Sequence, residues 1–105
     1  MTNDNTVKLL QEKLLLSHWP KCNEISQQLF EINSEEAKSA LIVGLKAKRH
    51  HIRTACIKTL VKFDDKDLVY FIEPLLNDSA YETRIEAKKA IFSLTGINLE
   101  TSRGE

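Results

Sequence analysis

The side chains in this chain that most readily bind a metal or attack an electrophile are the thiols of Cys22 and Cys56 and the neighbouring imidazoles of His50 and His51. Adjacent residues on a helix diverge by about 100°. His50 and His51 therefore do not make the i, i+4 pair that suits a metal ion. No further cysteine or histidine stands at ligand spacing, so no metal and no cofactor is expected. Glycine-rich phosphate loops, a Gly-x-Ser-x-Gly elbow and dinucleotide fingerprints are absent from the sequence. The residue types point away from an enzyme and toward recognition by charged and aromatic side chains.

Composition sets the frame for those side chains. The chain has 105 residues, 15 Lys+Arg against 15 Asp+Glu, 42% apolar residues and 29% charged ones. That balance excludes a uniformly basic nucleic-acid protein and wholesale disorder, and it suits one small domain. Leu, Lys, Glu and Ala dominate while glycine and proline are scarce, which favours helices throughout. The two cysteines are not in a CxxC arrangement and follow a polar start, Thr2 to Asn5. They read as reduced thiols in a cytoplasmic protein. The run Leu41 to Leu45 is too short to span a bilayer, so no membrane segment is expected.

The elements emerge from self-similarity. An offset of 31 residues aligns seven columns in which every member is apolar: Leu9/Ala40/Phe71, Leu10/Leu41/Ile72, Leu14/Leu45/Leu76, Ile25/Cys56/Ala87, Leu29/Leu60/Ile91, Phe30/Val61/Phe92 and Ile32/Phe63/Leu94. Chance agreement at this composition gives about two such columns. The spacing within a period is that of one helical face, stated twice, so each period predicts a helical hairpin. Asn3, Ser34 and Asp65 are the expected N-caps of the first helices. Ser79 with Glu82 reads as a capping box, Pro20 suits a first helical turn, and Gly96 a helix end. Pro74 is expected to kink the fifth helix.

The expected fold is all-α, an α-solenoid of three antiparallel hairpins over residues 3–33, 34–64 and 65–96, within one domain at 1–96. Its helices fall near 4–16, 20–32, 35–47, 50–63, 66–77 and 80–95. Residues 97–105 form a polar tail, with Ile97 and Leu99 available to fold back. Cys56 belongs to an apolar column and is expected to be an inert small hydrophobe.

In the last two periods the second helix runs Ile52 Arg53 to Cys56, Thr59 and Leu60, and Thr83 Arg84 to Ala87, Ala90 and Ile91. This pattern resembles the HEAT-like repeats of bacterial helical-repeat proteins, including relatives of phycobilisome lyase subunits. The family favours an Asp six residues before the Arg; Asp78 supplies it for Arg84, and Ala47 replaces it for Arg53. In the first repeat Cys22 stands where the Arg belongs and Leu16 where the Asp belongs, as in a degenerate end repeat. Cys22 thereby takes a partly exposed position and becomes a candidate reactive thiol. The resemblance implies that the second helices line the concave side.

The columns opposite the apolar stripe of the second helix place Glu24, Glu31, His51, Ala55, Lys58, Lys62, Glu82, Glu86 and Lys89 outward. Residues 37–63 carry a charge of +7, residues 1–36 carry −3 and residues 64–105 carry −4. A basic hairpin thus sits between two acidic ones, which serves either stacking or docking. The expected function is a non-catalytic protein-interaction module or adaptor. Its partner is a protein with an acidic patch, bound through Glu24, Glu31, His51, Lys58, Lys62 and Lys89. The alternatives are an accessory or chaperone-like subunit of an enzyme such as a lyase and, behind it, a nucleic-acid binder. Glutamates beside the lysines disfavour duplex DNA. Trp19 and Tyr81 share a column with His50 and serve repeat seams or, at an open end, a partner. The open ends also allow a homodimer.

Overall fold

The computed structural model describes the backbone of residues 2–97 and the side chains of residues 5–97. It is all-helical, without a strand among the described residues. The helices are α1 (Thr2–Leu16), α2 (Lys21–Ile32), α3 (Glu35–Gly44) and α4 (His50–Val61). A broken segment follows, and then α6 (Tyr81–Thr95). The broken segment is a 3-10 turn at Lys66–Leu68, a single α-turn α5 (Val69–Ile72) and a second 3-10 stretch at Glu73–Asn77. Pro74 accounts for the second interruption. It has no N–H to give to the carbonyl of Tyr70, and its ring crowds that carbonyl. Where a kinked helix over 66–77 is expected, the backbone abandons the α pattern on both sides of one turn.

Several helix ends follow local chemistry. Ser34 accepts the Ala37 N–H at 3.0 Å and caps α3, and Asp65 accepts the Asp67 N–H at 3.0 Å. Gly96 ends α6 in the left-handed region at φ 83°, its N–H donating to the Phe92 carbonyl. Two ends differ from expectation. Asn3 falls inside the first turn of α1 rather than ahead of it. The Ser79 capping box does not form. Ala80 occupies the N-cap of α6, and its N–H is taken by Asp78 Oδ2 at 2.9 Å. Asn33 and Asp64, just past α2 and α4, have φ of 54° and 55°. Short polar side chains tolerate this left-handed conformation better than branched ones do.

The second helices α2, α4 and α6 lie side by side with α4 in the middle, while α1 packs on α2 and α3, and α3 on α4. The molecule is elongated, 52 × 25 × 17 Å. Leu14, Leu41, Ile52, Ile57, Leu60 and Ile72 are fully enclosed, and the columns Ile25/Cys56/Ala87 and Leu29/Leu60/Ile91 are buried in every member. Members of other columns at the two ends are open: Leu9, Phe71 and Phe92 are exposed. Ile97 is exposed as well and does not fold back; Leu99 lies outside the described residues.

Because α4 is covered on three sides, it buries Ile52, Thr54, Ala55, Cys56, Ile57, Thr59 and Leu60. Ala55, expected to face outward, is therefore buried. The hydroxyls on this helix have partners across its seams. Thr59 Oγ1 donates to Ser26 Oγ of α2 at 3.0 Å, and Thr54 and Thr83 Oγ1 lie 3.0 Å apart between α4 and α6. A buried hydroxyl left without such a partner costs about 1–3 kcal/mol, so these contacts fix the lateral register of the three helices.

The charge partition is used in the same seams. Arg53 Nη1 donates to the carbonyls of Ala47 and Lys48, and its Nη2 to Asp78 Oδ2 at 2.8 Å. Arg84 Nη1 holds the carbonyls of Asp78 and Ser79, the same positions relative to itself. Burial pushes the Asp78 carboxyl up. The hydrogen bonds from Arg53 and the Ala80 N–H, with the positive charge nearby, outweigh this and hold it below the usual carboxylate range. Lys38 Nζ meets Asp65 at 3.2 Å, and Asp65 is also held low, chiefly by the Asp67 N–H and then by Lys38. Arg53 and Lys38 thus join the basic block to the acidic one that follows it. Toward the first block the partners are neutral: Arg49 Nη1 donates to the Ser17 carbonyl at 3.4 Å and Lys62 Nζ to Gln27 Oε1 at 2.6 Å.

Candidate functional site

A groove of about 480 Å³ crosses the face made by α2, α4 and α6. Its ends are marked by Trp19, just before α2, and Tyr81, the first residue of α6, which are 61% and 68% exposed. Both rings stand where the chain turns into a second helix, too early in that helix to reach the apolar seam. Ala55 and Thr54 form the floor. Asn23 and His51 line the side toward Trp19, and Glu82, Ile85 and Glu86 the side toward Tyr81, with exposed Lys58 further along.

The side chains at the mouth touch one another. The Trp19 and His51 rings are 6.1 Å apart at a 40° tilt, and those of His50 and His51 are 4.1 Å apart. The Arg84 guanidinium lies 5.6 Å from the Tyr81 ring, close enough for a cation–π contact. His50 Nε2 is 3.8 Å from Glu82 Oε1 of α6. Two imidazoles and a carboxylate from adjacent helices thus converge, although His50 and His51 are neighbours in sequence.

The expected site residues fall into two groups. His51 and Lys58 line the groove. Lys58 also borders a shallower depression with Glu86 and Lys89, where Lys89 Nζ is 3.6 Å from Glu86. The others are occupied elsewhere. Glu24 pairs with Lys21 at 3.1 Å, and Glu31 accepts from Gln27 Nε2 at 3.3 Å. Lys62 is held by Gln27 and lies over the Phe30 ring. The groove side chains that the sequence does not single out are Asn23, Thr54 and Ile85. The signal for Trp19 and Tyr81 is their shared column, 62 residues or two periods apart.

The thiols are withdrawn from this surface. Cys22, expected to be partly exposed, is fully buried, and its Sγ lies 3.6 Å from the His51 carbonyl as a weak donor. Burial pushes its thiol up, and that of Cys56 further still, with the neighbouring Cys22 adding to the rise. A thiol so shifted supplies little thiolate near neutrality. The reactive-thiol expectation for Cys22 is therefore corrected: it is a core residue at the α2–α4 seam.

Fold and groove together define an all-helical protein with an open, aromatic-flanked groove. No helix among the described residues is long and apolar enough to cross a membrane. No family model matches the chain, and no curated protein or solved structure matches it.

Proposed function

We propose that the chain is a three-hairpin α-solenoid of the HEAT-like class, built on a 31-residue unit, and works as a non-catalytic protein-interaction module. The repeat reading is supported by Arg53 and Arg84, which grip the carbonyls six and five residues before them in the same way. The left-handed residues Asn33 and Asp64, at matching positions, support it as well. Both thiols are free and buried, which suits a reducing compartment such as the cytoplasm.

The observation that carries the docking function is the placement of two exposed aromatic rings, Trp19 and Tyr81, at either end of one groove that also presents Lys58. Aromatic anchors beside a cation are the side chains that most often dominate a protein interface. Lys58 meets a carboxylate of the partner's acidic segment. Glu82 and Glu86 repel that segment along one wall and so set its direction. The shallow, open groove suits an extended peptide or a helix edge better than an enclosed small substrate.

Capture from the native lysate tests this, with wild-type chain, Lys58→Glu and Lys46→Glu as baits. Lys46 is exposed and lines two depressions, one with the end of α1 and one with the Pro74 segment, that share no residue with the groove. The expected result is a partner retained by wild type and Lys46→Glu and lost from Lys58→Glu. Equal retention by all three would remove the groove from the interaction.

A further inference from the structure

The cluster at the groove mouth has a composition that partner docking does not require. His50, His51 and Glu82 each offer one ligand atom, and these atoms all lie within 4.8 Å of one another. In a tetrahedral zinc site with bonds of about 2.0–2.2 Å, ligand atoms are about 3.3–3.5 Å apart. One pair, His50 Nε2 and Glu82 Oε1, is at 3.8 Å. The remaining pairs, all within 4.8 Å, need a closure of at most about 1.5 Å. The side chains can supply it, since those of His50 and Glu82 are 40% and 66% exposed and rotate in solvent.

We propose that His50, His51 and Glu82 form a three-ligand site for a divalent transition-metal ion of borderline softness, with Zn²⁺ as its natural occupant. Two imidazoles and one carboxylate are a donor set that zinc accepts, and the fourth position stays open to water. Calcium and magnesium are disfavoured because they require an oxygen-rich shell. The site joins the first turn of α4 to the first turn of α6 and so adds a cross-link between two helices that already pack side by side, with Thr54 and Thr83 in their seam. The positive end of the α4 dipole opposes a cation. The affinity is accordingly set in the micromolar range rather than at the level of an enclosed structural zinc. The inference stands apart from the docking function, since it concerns the chain and the metal alone.

Isothermal titration of the full chain with Zn²⁺ tests it, and His18, the third histidine, is the internal control. The expected result is one ion per chain with a Kd of about 1–50 µM. His50→Gln, His51→Gln and Glu82→Gln should each weaken binding by at least about tenfold, while His18→Gln leaves it unchanged. A second measurement needs no variant. Zn²⁺ at about 100 times Kd raises the wild-type melting temperature, and a chelator reverses the rise. Cu²⁺ also quenches Trp19, the single tryptophan, through its neighbour His51. Three results would overturn the site: no binding below about 200 µM, loss of binding in His18→Gln, or binding that survives Glu82→Gln undiminished.

Discussion

At Gly44, α3 packs closely against Cys56 of α4, and the approach depends on the missing side chain. A Cβ there would collide with Cys56 Sγ and crowd Leu14. Gly44→Ala gains up to about 1 kcal/mol in helix propensity. Overpacking of the buried contact costs about 1–3 kcal/mol. The net expectation is a loss of about 1 kcal/mol in denaturant unfolding. In a Cys56→Ala background the colliding sulfur is gone, and the same substitution should be neutral or stabilising. Additive effects would show that the contact does not constrain the pair. Asp78 gives a pH-dependent counterpart. Its carboxyl is held below the usual range, so its stabilising contribution is complete above the unfolded value of about 3.9 and is lost as pH falls through the folded value. Asp78→Asn should cost about 2 kcal/mol at pH 7, because Arg53 then lies buried without its counter-ion. The stability curves of variant and wild type should converge as pH falls through the folded value, below the usual carboxylate range. Parallel curves over that window would remove Asp78 from the acid response.

At the scale of the elements, the sequence pattern was most legible where one helical face meets one seam, and least where an element is enclosed on several sides. The bounds of α2, α3 and the start of α4 lie within three residues of expectation, since Ser34 and the apolar columns act locally. The burial of Ala55 and Cys22 was not legible. Each depends on lateral neighbours, α6 in one case and the His51 carbonyl of α4 in the other, which no single-helix periodicity contains. The meeting of His50, His51 and Glu82 has the same origin: it is a contact between successive second helices rather than a spacing along one. Capping shows the limit of motif reading. Ser34 and Ser79 look alike in sequence, but only Ser34 holds a helix N–H, while Asp78 displaces Ser79 at α6. Ser34→Ala should therefore cost about 1 kcal/mol and Ser79→Ala less than about 0.5 kcal/mol in thermal or denaturant melts. Equal costs would mean that the α6 cap is assigned to the wrong residue.

Across the whole molecule, the neutral total charge conceals a basic centre whose cations are largely committed. Arg53 and Lys38 are joined to Asp78 and Asp65, Arg49 to a carbonyl and Lys62 to Gln27. Lys58 is the cation left facing the groove, with Glu82 and Glu86 opposite. A single lysine does not track a phosphate backbone. No mobility shift of duplex DNA is expected at micromolar protein and about 150 mM salt. A salt-sensitive shift lost in Lys58→Glu would contradict this. The central claim is that binding centres on the aromatic-flanked groove and not on exposed aromatic surface in general. Tyr70, at 77% exposure, supplies the comparison, since it stands away from that groove. The deciding measurement is the affinity of the captured partner for wild type, Tyr81→Ala and Tyr70→Ala, by titration at fixed salt. Tyr81→Ala should weaken binding by about 30-fold, the mark of a hot-spot anchor worth about 2 kcal/mol, with Tyr70→Ala within about twofold of wild type. Weakening by Tyr70→Ala with Tyr81→Ala unchanged would place the interface on the other layer of helices.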